Sequence, residues 1–197
     1  MSNARSSVAG LLLTGGSSRR LGTDKARLLV DGETLAARAA RTLSAVCRPV
    51  VEVGPGISGS PAVRESPAGA GPLAAIAAGG EALRARGHSG PAIVLAVDFP
   101  NVGVALLELL RDWPGEPTVV PSDHGNLQVA CARFGGDALL AAHSLVMGGV
   151  RALHAVLDVV DHDVVAEATW SAVAPADTFV DVDTPADAAR LGIELPG

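Results

Sequence analysis

The segment Leu13-Thr14-Gly15-Gly16-Ser17-Ser18-Arg19-Arg20-Leu21-Gly22-Thr23-Asp24-Lys25 concentrates residues suited to hold a polyanion. Adjacent glycines, Gly15 and Gly16, let the backbone turn and bring N–H groups close to an anion. Arg19, Arg20, Lys25 and Arg27 follow within nine residues. Arginine offers paired contacts to a phosphate, and lysine a mobile point charge. The flanking glycines separate this group from an ordinary solvated charge run. No Gly-Lys-Ser/Thr stands at the P-loop spacing, so the pattern points to another way of holding a triphosphate.

A second feature is Asp98, which closes the apolar run Ile93-Val94-Leu95-Ala96-Val97. A carboxylate at the end of a buried strand is costly unless it is paired or metal-bound. Oxygen ligands at such a place suit Mg²⁺, which commonly bridges substrate phosphates. A cap for the next helix is the alternative. Asp183 ends a later apolar stretch and is a second candidate ligand. Asp181 is expected to face solvent or a neighbour, and Asp187 fits helix-start chemistry.

Other motifs carry less. Gly69-Ala70-Gly71-Pro72-Leu73 precedes a helix; its small residues would let backbone approach a base or ribose, and a plain helix entry explains them equally well. Gly54-Pro55-Gly56-Ile57-Ser58-Gly59 matches the dinucleotide-binding GxGxxG pattern after a strand. Pro61 and Pro67 interrupt the helix that a pyrophosphate site needs, so the match reads as accidental. The histidines show no zinc spacing, and Asp161-His162-Asp163 reads as an exposed loop. Ser17 and Ser18 lack a nucleophile-elbow signature. Cys47 and Cys131 stand far apart and read as two buried thiols of a reducing, cytoplasmic environment.

The elements that must position these residues alternate. Residues 8–13, 50–53 and 92–97 are short apolar runs bounded by turn signals, which predicts buried strands. Residues 28–33 form a hairpin around Asp31-Gly32. Helices are expected from Thr34 to about Val46, from Pro72 to about Arg84 and over residues 104–110. Residues 118–120 and 127–134 read as strands joined by a polar turn. Residues 139–147 and 150–157 read as helices, Val164 lies near a strand, and residues 179–182 read as a last strand. A final helix starts at Thr184-Pro185-Ala186-Asp187 and ends at Gly192. The alternation predicts βαβ units around a mostly parallel sheet, with the ligand beyond the strands' carboxyl ends.

Composition agrees. Aliphatic residues dominate and aromatics are only 3%, which suits a parallel sheet covered by Ala- and Leu-rich helices. The formal charge of -6 disfavours nonspecific nucleic-acid binding. No apolar run reaches the roughly 20 residues of a membrane span. Residues 1–4 read as a vector-derived scar, leaving residues 5–197 as one expected domain.

Taken together, these motifs resemble the MobA-like nucleotidyltransferases, the molybdenum cofactor guanylyltransferase family. The likeness runs through nearly the whole chain: the loop ending in Asp24-Lys25, Gly71-Pro72-Leu73 opening a helix, Ala96-Val97-Asp98-Phe99-Pro100, Gln128-Val129-Ala130-Cys131 in a later hairpin, and Val182-Asp183-Thr184-Pro185-Ala186-Asp187. The resemblance implies a three-layer α/β/α Rossmann-like fold. It also implies transfer of a nucleoside monophosphate from an NTP to an acceptor phosphate, with pyrophosphate leaving. GTP would be the donor and molybdenum-bearing molybdopterin the acceptor, with other cofactor-biosynthesis or acceptor proteins as possible partners. Leu13, Thr14, Gly15 and Gly16 would meet the nucleotide through backbone, and Arg20 and Lys25 would hold its phosphates. Gly54 and Glu65 fall near base-binding positions, Gly71, Pro72 and Leu73 near the nucleotide, and Asp98, helped by Asp183, would bind Mg²⁺. Thr14, Gly54 and Asp183 depart from the family's usual Ala, Asn and Asn, which bears on base choice between GTP and CTP.

Overall fold

A computed structural model describes residues 7–15, 21, 23–115 and 117–195. Gly16, Ser17, Ser18, Arg19 and Arg20 lie outside the described residues, as does the expected scar. Strand β1 (Ala9–Leu13) is buried along its whole length. A short hairpin, β2 (Leu29–Val30) and β3 (Glu33–Thr34), turns through Asp31 and Gly32, both at positive φ. Thr34 then caps α1 (Leu35–Val46), its hydroxyl accepting from the Ala37 amide. Strands β4 (Val50–Val53) and β5 (Ala62–Val63), helix α2 (Pro72–Ala85), strand β6 (Ala92–Ala96) and helix α3 (Val104–Asp112) follow.

The later chain supplies β7 (Val119–Asp123), β8 (Asn126–Leu127), β9 (Cys131–Phe134) and α4 (Gly136–Met147). Strand β10 (Asp163–Val165), a short α5 (Glu167–Trp170) and α6 (Pro185–Arg190) complete it. The main sheet runs β10-β7-β9-β6-β1-β4-β5, with β8 paired to β7. It is parallel except where β9 runs against β6 and β7, and β8 against β7.

Successive side chains on a strand point to opposite faces, and both faces here are covered. Leu11, Leu13, Val51 and Val53 pack with α2 and α4 residues on one side. Leu12, Ile93 and Leu95 pack with α1 and α3 on the other. The result is the expected three-layer α/β/α arrangement.

Three expected elements differ. Residues 127–134 do not form one strand: residues 128–130 break the ladder between β8 and β9. Residues 150–157 form only a 3-10 turn at Leu153–Val156. Residues 179–182 find no ladder at all. Their apolar side chains serve packing instead: Phe179 meets Trp170 edge-on at 4.9 Å and Phe99 at 5.9 Å, and Val182 enters a separate small core. Cys47 and Cys131 are free, buried thiols, each pushed up to about 12 by loss of water. Among the described residues no helix is long and apolar enough to cross a membrane.

Candidate active site

Strands β1, β4, β6 and β7 present their carboxyl ends along one edge of the sheet. From β1 the chain crosses to β4 on one side and later returns to β6 on the other. The crevice between β1 and β6 is therefore the topological switch point, where open α/β sheets accept ligands.

Three charged residues meet there. The Lys25 Nζ atom lies 2.6 Å from Asp183 Oδ1 and 3.3 Å from Asp98 Oδ1. The lysine is mostly covered, and both carboxylates keep over two-fifths of their side-chain surface open. Burial alone would lower the lysine pKa; the hydrogen bond to Asp183 and the charge of Asp98 outweigh it and raise it. Loss of water holds the Asp98 carboxyl above its ordinary range; Lys25 opposes that, while Asp183 and Asp181 add to it.

Local structure explains how residues 158 positions apart meet. Asp24 accepts from the Ala26 amide at 3.0 Å and starts a 3-10 turn, Lys25–Arg27. Ala26 and Leu28 then bury with Val97, Val182, Ala188 and Ile193 in the small third core. The tail clips onto β2: Leu29 N donates to Glu194 O at 3.0 Å, and Glu194 N to Leu29 O at 2.7 Å. Asp187 closes a capping box with Thr184, fixing the start of α6 beside Asp183. Asp181 is exposed, as expected.

The wall beside the crevice gathers Leu13, Thr14, Gly15, Gly54 and Glu65. The Leu13 carbonyl accepts from Val97 N at 3.0 Å, and the Thr14 amide donates to Val53 O at 3.1 Å. Both side chains are buried, so of these three residues Gly15 is the one that exposes its backbone. Gly54 has φ +154, and a Cβ there would sit 2.1 Å from Thr14 Oγ1. Only glycine lets the two backbones pass so closely. Glu65 Oε1 accepts from Gly69 N at 2.8 Å and would lie 3.9 Å from a Cβ at Gly15. Gly71, at φ +101, precedes exposed Pro72 at the start of α2. Leu73 is wholly in the core, which removes its side chain from any ligand surface.

Two features were not foreseen. Glu52, fully buried on β4, has a complete set of donors from Thr14 and the loop after β4. That loop is the GxGxxG match, and no helix follows it. Asp123, His124 and Glu167 bring ligand atoms within 4.8 Å of one another at the tip of β7, two strands from β6 on the same edge. The buried Asp123 Oδ1 has no hydrogen-bond partner among the described residues. This cluster stands apart from the Asp98–Asp183 pair.

Residues 10–155 match the model of the MobA-like NTP transferase domain. The chain belongs to that family. A probable molybdenum cofactor guanylyltransferase of Chloroflexus aggregans is 32% identical over 74% of this chain and 74% of its own length. Another, from Opitutus terrae, is 44% identical over 56% of this chain; the match spans 57% of that protein. Among solved structures, molybdopterin-guanine dinucleotide biosynthesis protein A of Archaeoglobus fulgidus superposes with a TM-score of 0.76 at 22% identity, covering 93% of this chain and 96% of that one. A Mycobacterium tuberculosis protein solved as a manganese complex gives 0.61 at 16% identity, covering 94% and 97%. The sheet order is thus that of the MobA-like fold.

Proposed function

We propose that this MobA-like chain is a molybdenum cofactor guanylyltransferase, transferring GMP from GTP to the phosphate of molybdenum-bearing molybdopterin in the cytoplasm. The observation that carries it is the meeting of Lys25, Asp98 and Asp183 at the switch point. The names of the relatives from Chloroflexus aggregans and Opitutus terrae support the nucleotide and the acceptor.

The two carboxylates already hold a cation, the lysine ammonium, between them. A hard oxygen pair with partial exposure fits Mg²⁺, and Asp98 and Asp183 are the residues that would hold it. When bound, the ion would neutralise phosphate charge. Lys25 would then turn from the carboxylates toward the phosphates, a movement its flexible stem allows. The exposed Gly15 backbone would approach the nucleotide, and Arg20 would add a guanidinium from the loop. An oxygen of the acceptor phosphate attacks the α-phosphorus; the bond to the β-phosphate oxygen breaks, and pyrophosphate leaves with that electron pair. The chain's contribution is positioning and charge stabilisation, with no covalent intermediate.

The test is pyrophosphate release from GTP and, separately, CTP, with molybdenum-loaded molybdopterin and Mg²⁺. GTP-dependent release is expected. Release with CTP alone would reassign the base, and tight GTP binding without turnover in the presence of acceptor would make the chain a nucleotide-binding regulator.

A further inference from the structure

Glu52 is an acid in the middle of an apolar parallel strand, with none of its surface exposed. A buried carboxylate persists only where donors replace its lost water. Four do so here. Thr14 Oγ1 donates to Oε1 at 2.6 Å, Gly56 N at 2.7 Å and Ile57 N at 3.0 Å, while Ser58 N donates to Oε2 at 2.8 Å. Successive amides turned toward one point form an anion nest. In this chain the nest behind β4 is filled by the protein's own side chain.

The consequence reaches the crevice. Thr14 is the first residue after β1, and residues 56–58 belong to the loop after β4. One carboxylate ties both together at the carboxyl edge of the sheet. The same Thr14 hydroxyl occupies the space where a side chain at Gly54 would begin. The wall at exposed Gly15 is consequently backbone, flanked by Glu65 and backed by the buried Gly54, and held in place from behind. It lies on the β4 side of β1, away from the Lys25–Asp98 cluster on the β6 side. A nucleotide with its phosphates at the cluster would lay its base along this wall.

We propose that Glu52 is a positioning residue for the base side of the nucleotide pocket, acting through the Thr14 hydroxyl and the amides of residues 56–58. The inference rests on the nucleotidyltransferase reading and adds to it a division of the site. Lys25 and Asp98 grip phosphate, whereas Glu52 and Thr14 shape the surface that reads the base. The hydrogen bonds from Ser58 and Thr14 outweigh the effect of burial and hold the Glu52 carboxyl down at about 2, so the anchor is an anion across the working pH range.

The test compares wild type with Glu52→Gln, Thr14→Val and Thr14→Ser. Affinities for GTP, CTP and inorganic tripolyphosphate are measured by calorimetry with Mg²⁺, alongside the unfolding temperature. Thr14→Val removes the donor at nearly constant shape, and Thr14→Ser restores it. The expected result is a loss of about tenfold in GTP affinity for Glu52→Gln and Thr14→Val, with narrowed discrimination against CTP. Tripolyphosphate affinity should stay within about twofold of wild type, and Thr14→Ser should recover GTP binding. If Glu52→Gln fails to fold, the Thr14 pair decides. Parallel losses of GTP and tripolyphosphate binding, or unchanged GTP binding in Thr14→Val, would overturn the inference. A wild type that binds neither GTP, CTP nor tripolyphosphate would overturn the nucleotidyltransferase reading, and this division of its site with it.

Discussion

Two acidic regions at the same sheet edge have opposite fates. Glu52 on β4 is closed off, hydrogen-bonded on both oxygens by groups that belong to the fold. Asp98, just past β6, is partly open and shares the Lys25 ammonium with Asp183. A carboxylate satisfied by hydroxyl and amide donors has nothing to gain from a ligand. One balanced by a lysine on a flexible stem can exchange that partner for another cation. Both acids lie toward the carboxyl ends of parallel strands that flank β1, Glu52 within β4 and Asp98 beyond β6; the kind of donor decides which supports the wall and which meets the ligand.

The largest effect should come from breaking the open region. Asp98→Asn is expected to lower turnover by about 10²–10³ while the unfolding temperature stays near wild type. Steady-state pyrophosphate release and a thermal melt check both halves. Near-normal turnover would move the metal site elsewhere, and the Asp123–His124–Glu167 cluster would be the first place to look.

The closed region should respond in stability as well as in base affinity. Glu52 drops from an ordinary 4.5 to about 2 in the folded chain. A depressed carboxyl pKa adds stability that is complete above the unfolded value. It is lost as pH falls from about 4.5 through about 2, amounting to about 3 kcal/mol. Urea unfolding between pH 6 and pH 2 should show this acid loss, and Glu52→Gln should flatten that part of the curve. An unchanged acid limb in the variant would separate Glu52 from the effect.

Lys25→Met sharpens the contrast from the cation's side. GTP affinity should fall by about tenfold to a hundredfold, the scale of a lost charged hydrogen bond. Mn²⁺ binding without nucleotide should strengthen, because the Lys25 ammonium no longer competes for the two carboxylates. Weaker binding of both ligands would mean that Lys25 does not compete with the metal. The smallest effect concerns the support. Thr184→Ala removes the capping box at α6 and should cost about 1 kcal/mol in urea unfolding, with a modest rise in KM from a loosened Asp183.

The open region was largely legible in the sequence. A run of five apolar residues ending in aspartate can hardly be anything but a buried strand with a functional or capped tip, and Asp98 followed from it. The resemblance assigned Lys25 to the phosphates and Asp98, with Asp183, to the metal; their direct pairing was not foreseen. Its physical cause is the small core around Leu28, Val97, Val182 and Ile193, long-range packing that no local period encodes. The closed region was invisible for a different reason. Val50-Val51-Glu52-Val53 reads as an ordinary strand, and the glycines after it advertise a nest without naming the anion it holds. The GxGxxG resemblance was physically sound as an anion cradle; its occupant is internal. The misread strand at residues 179–182 shows the same limit, since apolar residues packed by side chain alone look like a strand in sequence.

The most direct measurement is a Mn²⁺ titration followed by electron paramagnetic resonance, with and without a non-hydrolysable GTP analogue, on wild type and Asp98→Asn. The analogue should tighten Mn²⁺ binding at least about tenfold in the wild type and leave the variant unchanged. Equal tightening in both proteins would contradict a nucleotide-linked metal site at Asp98.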